Sequence, residues 1–309
     1  MHLERVGIKS AFMKLCLAII SALALFAPVA PAAINVDGTR DGNYGGALAV
    51  QTVETQFGDN LSEWNAAYGR VEGGRLYVML TGNLEANFNK LEVFIDSKAG
   101  GQSIFSGAGN DNANNMNGLV FDNGFTADFH LILRRGGGNT FDLDFANLGS
   151  STFSSYANLF GGALTGNGLT GTGVNGNSIG VGYDDSNVAG ILGGTAAANQ
   201  AAALAVTTGL EFSIDLADLG WLAGDIRVMV GQNNQGHNYW ANQFLGGLPA
   251  PQGNLGGDEN GGFTGEGAID MTHFAGDQFF VVQVPEPSSL ALMAVGSLML
   301  FVRARRSQK

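Results

Sequence analysis

Three histidines lie beyond the N-terminal apolar run, His130, His237 and His273, and they are the first side chains to test for chemistry. No two stand four positions apart, so the chain has no zinc-binding helix of the His-Glu-x-x-His kind. His130 falls in an alternating run and reads as structural. His237, in Gln235-Gly236-His237-Asn238-Tyr239-Trp240, reads as a loop residue. Gly176-Asn177-Ser178-Ile179-Gly180 has the spacing of a nucleophile elbow, which needs a strand before it and a helix after it. Here glycine-rich sequence precedes and Val181-Gly182-Tyr183 follows, so the match is compositional. Gly166-x-Gly168-x-x-Gly171 and Gly171-x-Gly173-x-x-Gly176 match the dinucleotide fingerprint, but no βαβ pattern surrounds either. No catalytic residue emerges, and the chain reads as a non-enzyme. A secreted hydrolase is the third-ranked alternative. For glycosides it needs two carboxylates roughly 5–9.5 Å apart, a distance that sequence cannot supply.

Two kinds of binding chemistry are better supplied. Hard cations take several oxygens from carboxylates, amides and carbonyls. The run Asn110-Asp111-Asn112-Ala113-Asn114-Asn115-Met116-Asn117-Gly118 is dense in them, with Asp111, Asn112 and Asn114 the candidate ligands for a structural calcium ion. Asp184-Asp185-Ser186-Asn187 is a second candidate. Neither has the closing Glu of an EF-hand, and both also suit polar turns in which Asn tolerates left-handed φ. Sugar faces lie on aromatic rings while amides and carboxylates fix orientation. Trp64, Tyr239, Trp240 and Asn242 are the candidate ligand-binding residues, with Tyr68, Asn238 and Gln243 nearby. The alternative is that these rings plug the ends of the fold.

Composition narrows the partners. The chain has 309 residues, 45% hydrophobic and 14% charged, with a formal net charge of −12. Residues 1–32 carry +2 and residues 303–309 carry +4, which leaves −18 on the body between them. A nucleic-acid binder needs a basic face to displace phosphate counterions, and this body cannot assemble one. Glycine, at 48 residues, is roughly twice its ordinary share but has no collagen period. The one cysteine, Cys16, sits in the N-terminal apolar run, so the body has no thiol for a disulfide, a Cys-ligated metal or a Cys nucleophile.

The elements that must position these residues are strands. Leu76, Val78 and Leu80 alternate with Tyr77 and Met79, and Leu91, Val93 and Ile95 with Glu92 and Phe94. Phe129, Leu131 and Leu133, Phe141-Asp142-Leu143-Asp144-Phe145, Leu210 to Leu216, and Ile226, Val228 and Val230 repeat the pattern, with a last strand at 278–283. Period two with one face apolar is the signature of an antiparallel sandwich, and strands apolar on both faces must be central or covered. Residues 61–68 suit a turn or short strand, and the Ala-rich run 195–206 one helix. Residues 149–205 are rich in Gly and Ala and read as a long insertion into a single domain.

Both ends read as addresses. Lys9 and Lys14 precede the apolar run 15–26, and small residues follow to Ala33, the pattern of a secretory signal peptide over 1–33. About 12 apolar residues are too few to span a bilayer. At the other end Val284-Pro285-Glu286-Pro287-Ser288-Ser289 leads into the apolar stretch 290–302, closed by Arg303-Ala304-Arg305-Arg306. Arg303, Arg305 and Arg306 act as a membrane stop under the positive-inside rule. This tripartite order resembles the PEP-CTERM sorting signal of bacterial exported proteins, a segment also catalogued as an ice-binding-protein C-terminal domain. The resemblance implies a sorting motif at Val284, Pro285, Glu286 and Pro287, a short transmembrane sorting helix, and processing by exosortase in bacteria that make exopolysaccharide.

The body carries a softer likeness. Asn35-Val36-Asp37-Gly38-Thr39-Arg40-Asp41, Gly74-Arg75-Leu76-Tyr77-Val78, Leu91-Glu92-Val93-Phe94-Ile95-Asp96 and Glu211-Phe212-Ser213-Ile214-Asp215-Leu216 occur in that order. The order resembles carbohydrate-binding family 9 and DOMON-like sandwiches, which implies the fold more than a ligand.

The sequence thus predicts an all-β, jelly-roll-like antiparallel β-sandwich over 34–283, with a Gly-rich insertion at 149–205, a signal peptide at 1–33 and a sorting signal at 284–309. The expected function is that of an exported cell-surface or extracellular-matrix protein, transiently anchored in the inner membrane by its tail and associated with polysaccharide. A structural matrix component without a ligand is the alternative.

Overall fold

The computed structural model describes residues 33–284. Apart from Ala33 and Val284, the expected signal peptide and sorting tail lie outside the described residues, as does the sorting helix. No helix among the described residues is long and apolar enough to cross a membrane.

The chain runs β1 (Ala49–Val50), β2 (Glu63–Glu72), β3 (Arg75–Asn83), β4 (Lys90–Asp96), β5 (Phe129–Gly136), β6 (Thr140–Asn147) and β7 (Thr152–Tyr156). It continues through β8 (Gly166–Leu169), β9 (Gly180–Tyr183), α1 (Gln200–Ala205), β10 (Gly209–Asp215), β11 (Ile226–Asn233), β12 (Trp240–Leu245) and β13 (Phe279–Val282). One sheet has the order β1-β2-β3-β10-β9-β8, the other β12-β11-β4-β5-β6-β7. β13 pairs with the first half of β11, Ile226 to Met229, and β12 with the second half, Val230 to Asn233. The strand pairs are antiparallel, and the fold is an all-β sandwich.

The alternation seen in the sequence decides which side chains meet. Leu76, Val78 and Leu80 of β3 and Leu210, Phe212 and Ile214 of β10 face Leu91, Val93 and Ile95 of β4 and Leu131 and Leu133 of β5 in one buried cluster. Each such side chain contributes about 1.5–3 kcal/mol on full burial. β4 and β5 are also buried on their second face, because that face is covered. Phe94, Ile132 and Met229 pack there against Phe105, Phe121, Phe125, Ile269 and Met271, which come from the long connections 97–128 and 246–278.

Three expectations change. Residues 61–62 are a turn and bend, and 63–68 are the buried first six residues of the ten-residue strand β2. The Ala-rich run is helical only over Gln200–Ala205, where the Asn199 side chain accepts from Ala201 N and Ala202 N. The segment 149–205 is not set into a finished sandwich. It supplies β7 as an edge of one sheet and β8 and β9 to the other, with β9 paired to β10. Its glycines serve close approach rather than looseness. A Cβ at Gly182 would meet the backbone of Asp37 and Gly38 at 2.6 Å, so the first strap of the body can cross β9 only at a glycine.

Candidate functional site

On β4, Lys90 and Glu92 alternate with Leu91 and Val93 and so leave on the covered face of the sheet. Register brings Arg134 opposite Lys90 and Asp142 opposite Arg134. One residue pair further on, Ile132 stands opposite Glu92 and Asp144 opposite Ile132. Two pieces of the cover close over this row: the 3-10 segment Asn110–Met116 and the turn carrying His237.

The result is a continuous ionic network. Glu92 is fully buried and faces two imidazoles, with Oε2 2.8 Å from His130 Nε2 and Oε1 2.5 Å from His237 Nδ1. His130 is stacked on Phe94, with ring centroids 4.4 Å apart. The other nitrogen of His237 lies 3.4 Å from Asp111 Oδ2, an ion pair without a hydrogen bond. The same Asp111 oxygen accepts from Lys90 Nζ at 2.7 Å and lies 3.3 Å from Arg134 Nε. Arg134 Nη1 is 3.4 Å from Asp144 Oδ2.

These neighbours set the protonation states. Burial alone would raise the Glu92 carboxyl, but His237 and His130 overrule it and hold it at about 2. Burial would lower His237, yet the charge of Glu92 and the contact with Asp111 push it up to about 9. Burial likewise opposes the charge on Asp111, and His237, Lys90 and Arg134 hold it well below the usual carboxylate range. Lys90 is pulled below its ordinary value by burial, against the opposing effect of Asp111. The network therefore fixes the cover on the sheet by charge. Two of its members, Asp111 and His237, hold left-handed backbone with φ of 46° and 56°.

The candidate calcium ligands sit in different settings. The Asp111 oxygen already faces an ammonium, a guanidinium and an imidazolium, which a calcium ion would have to displace. Asn112 and Asn114 are exposed, whereas Asp111 is half-buried. In the second candidate run, Asp184 Oδ1 accepts from its own loop at Ser186 N, and Asp185 pairs with Arg135 at 2.6 Å. No group of three or more His, Cys, Asp or Glu among the described residues is placed to hold a metal ion.

The aromatic candidates are corrected. Trp64 is buried between the sheets and donates from Nε1 to Gln232 Oε1 at 2.6 Å. Trp240 is buried in the cover and donates to Gly267 O at 2.9 Å. Asn242 is buried too; its Nδ2 donates to Glu54 O and Gln252 O, and its Oδ1 accepts from Gln56 N. None of the three presents a face to a ligand. Tyr239 does. It is half-buried, its ring is stacked on half-buried Phe57 at 6.5 Å and 15°, and its hydroxyl donates to Gly261 O. Phe57 carried no signal in the sequence, because its partner lies on a loop far along the chain.

A second buried carboxylate ties down the start of the body. Glu211 Oε2 accepts from Asp37 N and Gly38 N at 2.9 and 3.2 Å, and Oε1 accepts from Tyr44 Oη at 2.7 Å. Burial pushes its carboxyl up to about 7 against these donors.

At the far end Val284 N donates to Asp225 Oδ1 at 3.2 Å. Pro285, Glu286, Pro287, Arg303, Arg305 and Arg306 lie outside the described residues. The family model of the PEP-CTERM protein-sorting motif matches residues 283–306, starting immediately after β13. No curated protein and no solved structure matches the chain. The chain thus carries a PEP-CTERM sorting motif, which marks it for exosortase-type export to the cell envelope or surface.

Proposed function

We propose that this chain is a non-enzymatic, polysaccharide-associated protein of the bacterial cell surface or extracellular matrix, held briefly in the inner membrane by its tail until exosortase processes it. The observation that carries this proposal is the sorting motif at residues 283–306, which follows the sandwich directly. Burial of Trp64, Trp240 and Asn242 leaves the Phe57–Tyr239 pair as the candidate sugar face. Rings of this kind take the apolar face of a sugar while flanking polar groups orient it. The test is retardation of the purified protein by the producing organism's own exopolysaccharide in affinity electrophoresis. Saturable retardation that Tyr239→Ala and Phe57→Ala each weaken supports the binding module.

A structural matrix component is the second possibility. It is favoured by the internal use of most polar groups the sequence offered for binding, Asn242 above all. Absence of retardation, with the protein still found in the matrix, selects it.

A further inference from the structure

We propose that Lys90 and Asp111 are the site of a spontaneous intramolecular amide bond that fastens the cover of the second sheet to strand β4. Lys90 Nζ lies 2.7 Å from Asp111 Oδ2, with the lysine side chain 4% and the aspartate side chain 23% exposed. Amine and carboxyl group are therefore held side by side, which removes the entropic cost of bringing two reactants together. Asp111 is pressed onto Lys90 by two successive left-handed residues, Asp111 and Asn112, at φ 46° and 61°. The remaining groups suit the chemistry of condensation. His237 Nε2 faces the same Asp111 oxygen and has no hydrogen-bond partner of its own. Glu92 holds the opposite ring nitrogen, so the imidazolium is aimed at the oxygen that must leave. Arg134 Nε also stands 3.3 Å from that oxygen, where a guanidinium offsets the negative charge of the carboxylate and of the departing oxygen.

The atoms balance without an external reagent. One ammonium proton passes from Lys90 to the Asp111 carboxylate, and the amine formed attacks Cγ. The Nζ–Cγ bond forms, and a Cγ–O bond breaks as the His237 imidazolium gives its Nε2 proton to the departing hydroxyl. A second proton from the nitrogen restores the imidazolium. Ammonium and carboxylate thus become an amide and one water.

Two features of the molecule favour the product. Burying an ion pair costs desolvation of both charges, and the amide removes both. The sandwich also contains no cysteine, since Cys16 precedes it, so no disulfide can staple the connection 97–128 to the sheet.

The measurement is the intact mass of the purified exported chain, followed by proteolysis and tandem mass spectrometry. The expected mass is one water below that of the mature sequence, whose two ends are read from the terminal peptides of the same digest. The expected digest contains a branched peptide joining the Lys90 and Asp111 segments. A branched peptide also separates this bond from a succinimide at Asp37-Gly38 or Asp41-Gly42, which loses the same water without branching. Lys90→Arg keeps the ion pair but cannot condense, so it should regain the full mass, lose the branch and stay folded by circular dichroism. Glu92→Gln should slow or abolish the branch with Lys90 and Asp111 intact. A wild-type chain of full mass, with Lys90 and Asp111 recovered only in separate linear peptides, overturns the proposal and leaves a buried ion pair.

Discussion

Glu92 and His237 stand 145 positions apart, yet Oε1 of one lies 2.5 Å from Nδ1 of the other. One belongs to a central strand and the other to a turn in the cover, so their contact is where the outer layer is locked to the sheet. Buried charges of this kind are held by their partners, and removing one partner leaves the other uncompensated. Glu92→Gln should therefore destabilise the protein by about 3–5 kcal/mol, read as a lowered urea midpoint. His237→Gln should also be costly. Together the two substitutions should cost much less than the sum of their separate effects, because the double variant strands neither charge. Additive losses would mean that the two residues do not act as a pair.

The same contact fixes how stability depends on pH. His237 is raised in the folded state, so its contribution is complete below pH 6.5 and is lost as pH rises through about 9. Glu92 is lowered, so its contribution is present above pH 4.5 and is lost as pH falls through about 2. Thermal unfolding midpoints should fall at both limits, and His237→Gln should remove most of the alkaline limb. An unchanged alkaline limb in that variant would assign it to other groups.

Glu211 gives a slope of opposite sense to that of Glu92. Burial raises its carboxyl from 4.5 to about 7, so the folded state binds the proton more tightly than the unfolded chain does. Its contribution is greatest below pH 4.5 and declines as pH rises through about 7. Glu211→Gln keeps an acceptor for the Asp37 and Gly38 amides and cannot ionise. It should flatten the stability profile between those two pH values. If the wild-type slope there survives the substitution, Glu211 is not its source.

The strands were legible in the sequence because alternation is a local property. Leu76, Val78 and Leu80, or Leu91, Val93 and Ile95, show their buried face within six residues. The depth of the opposite face was not legible. Glu92 and His130 alternate with core residues and look like solvent-facing positions until the connection 97–128 and the turn at His237 fold over them. The same distance effect misdirected the binding residues. Trp64 and Trp240 are aromatic, flanked by amides and near turns, as sugar platforms are, but Gln232 and Gly267, far along the chain, take their indole N–H groups inside. Asp111 sits in an oxygen-rich run, and only the register of β4 against β5 shows that Lys90 and Arg134 converge on it.

That convergence predicts the response to calcium. With an ammonium, a guanidinium and an imidazolium around one Asp111 oxygen, a divalent cation would have to displace three cations. Excess calcium or a chelator should leave the thermal midpoint of the wild-type protein unchanged. Asp111→Asn should lower it in either condition, because the variant loses the carboxyl group through which the segment 110–116 is held to Lys90. A chelator-induced drop that Asp111→Asn abolishes would restore Asp111 as a calcium ligand.

The two aromatic positions divide fold from binding. Trp64 fills the space between the sheets and its N–H satisfies Gln232, so Trp64→Ala should cost about 3–5 kcal/mol and leave little soluble protein. Tyr239 is half-buried at the surface with Phe57. Tyr239→Ala gives up only part of a side chain's burial and one hydrogen bond to Gly261, about 1–2 kcal/mol. A sugar face at the ring pair would then appear as several-fold weaker retardation by exopolysaccharide at nearly native stability, a combination that a residue serving packing alone does not give. Equal retardation of wild type and Tyr239→Ala would remove the ring pair as the binding face and direct the search to the rest of the acidic surface.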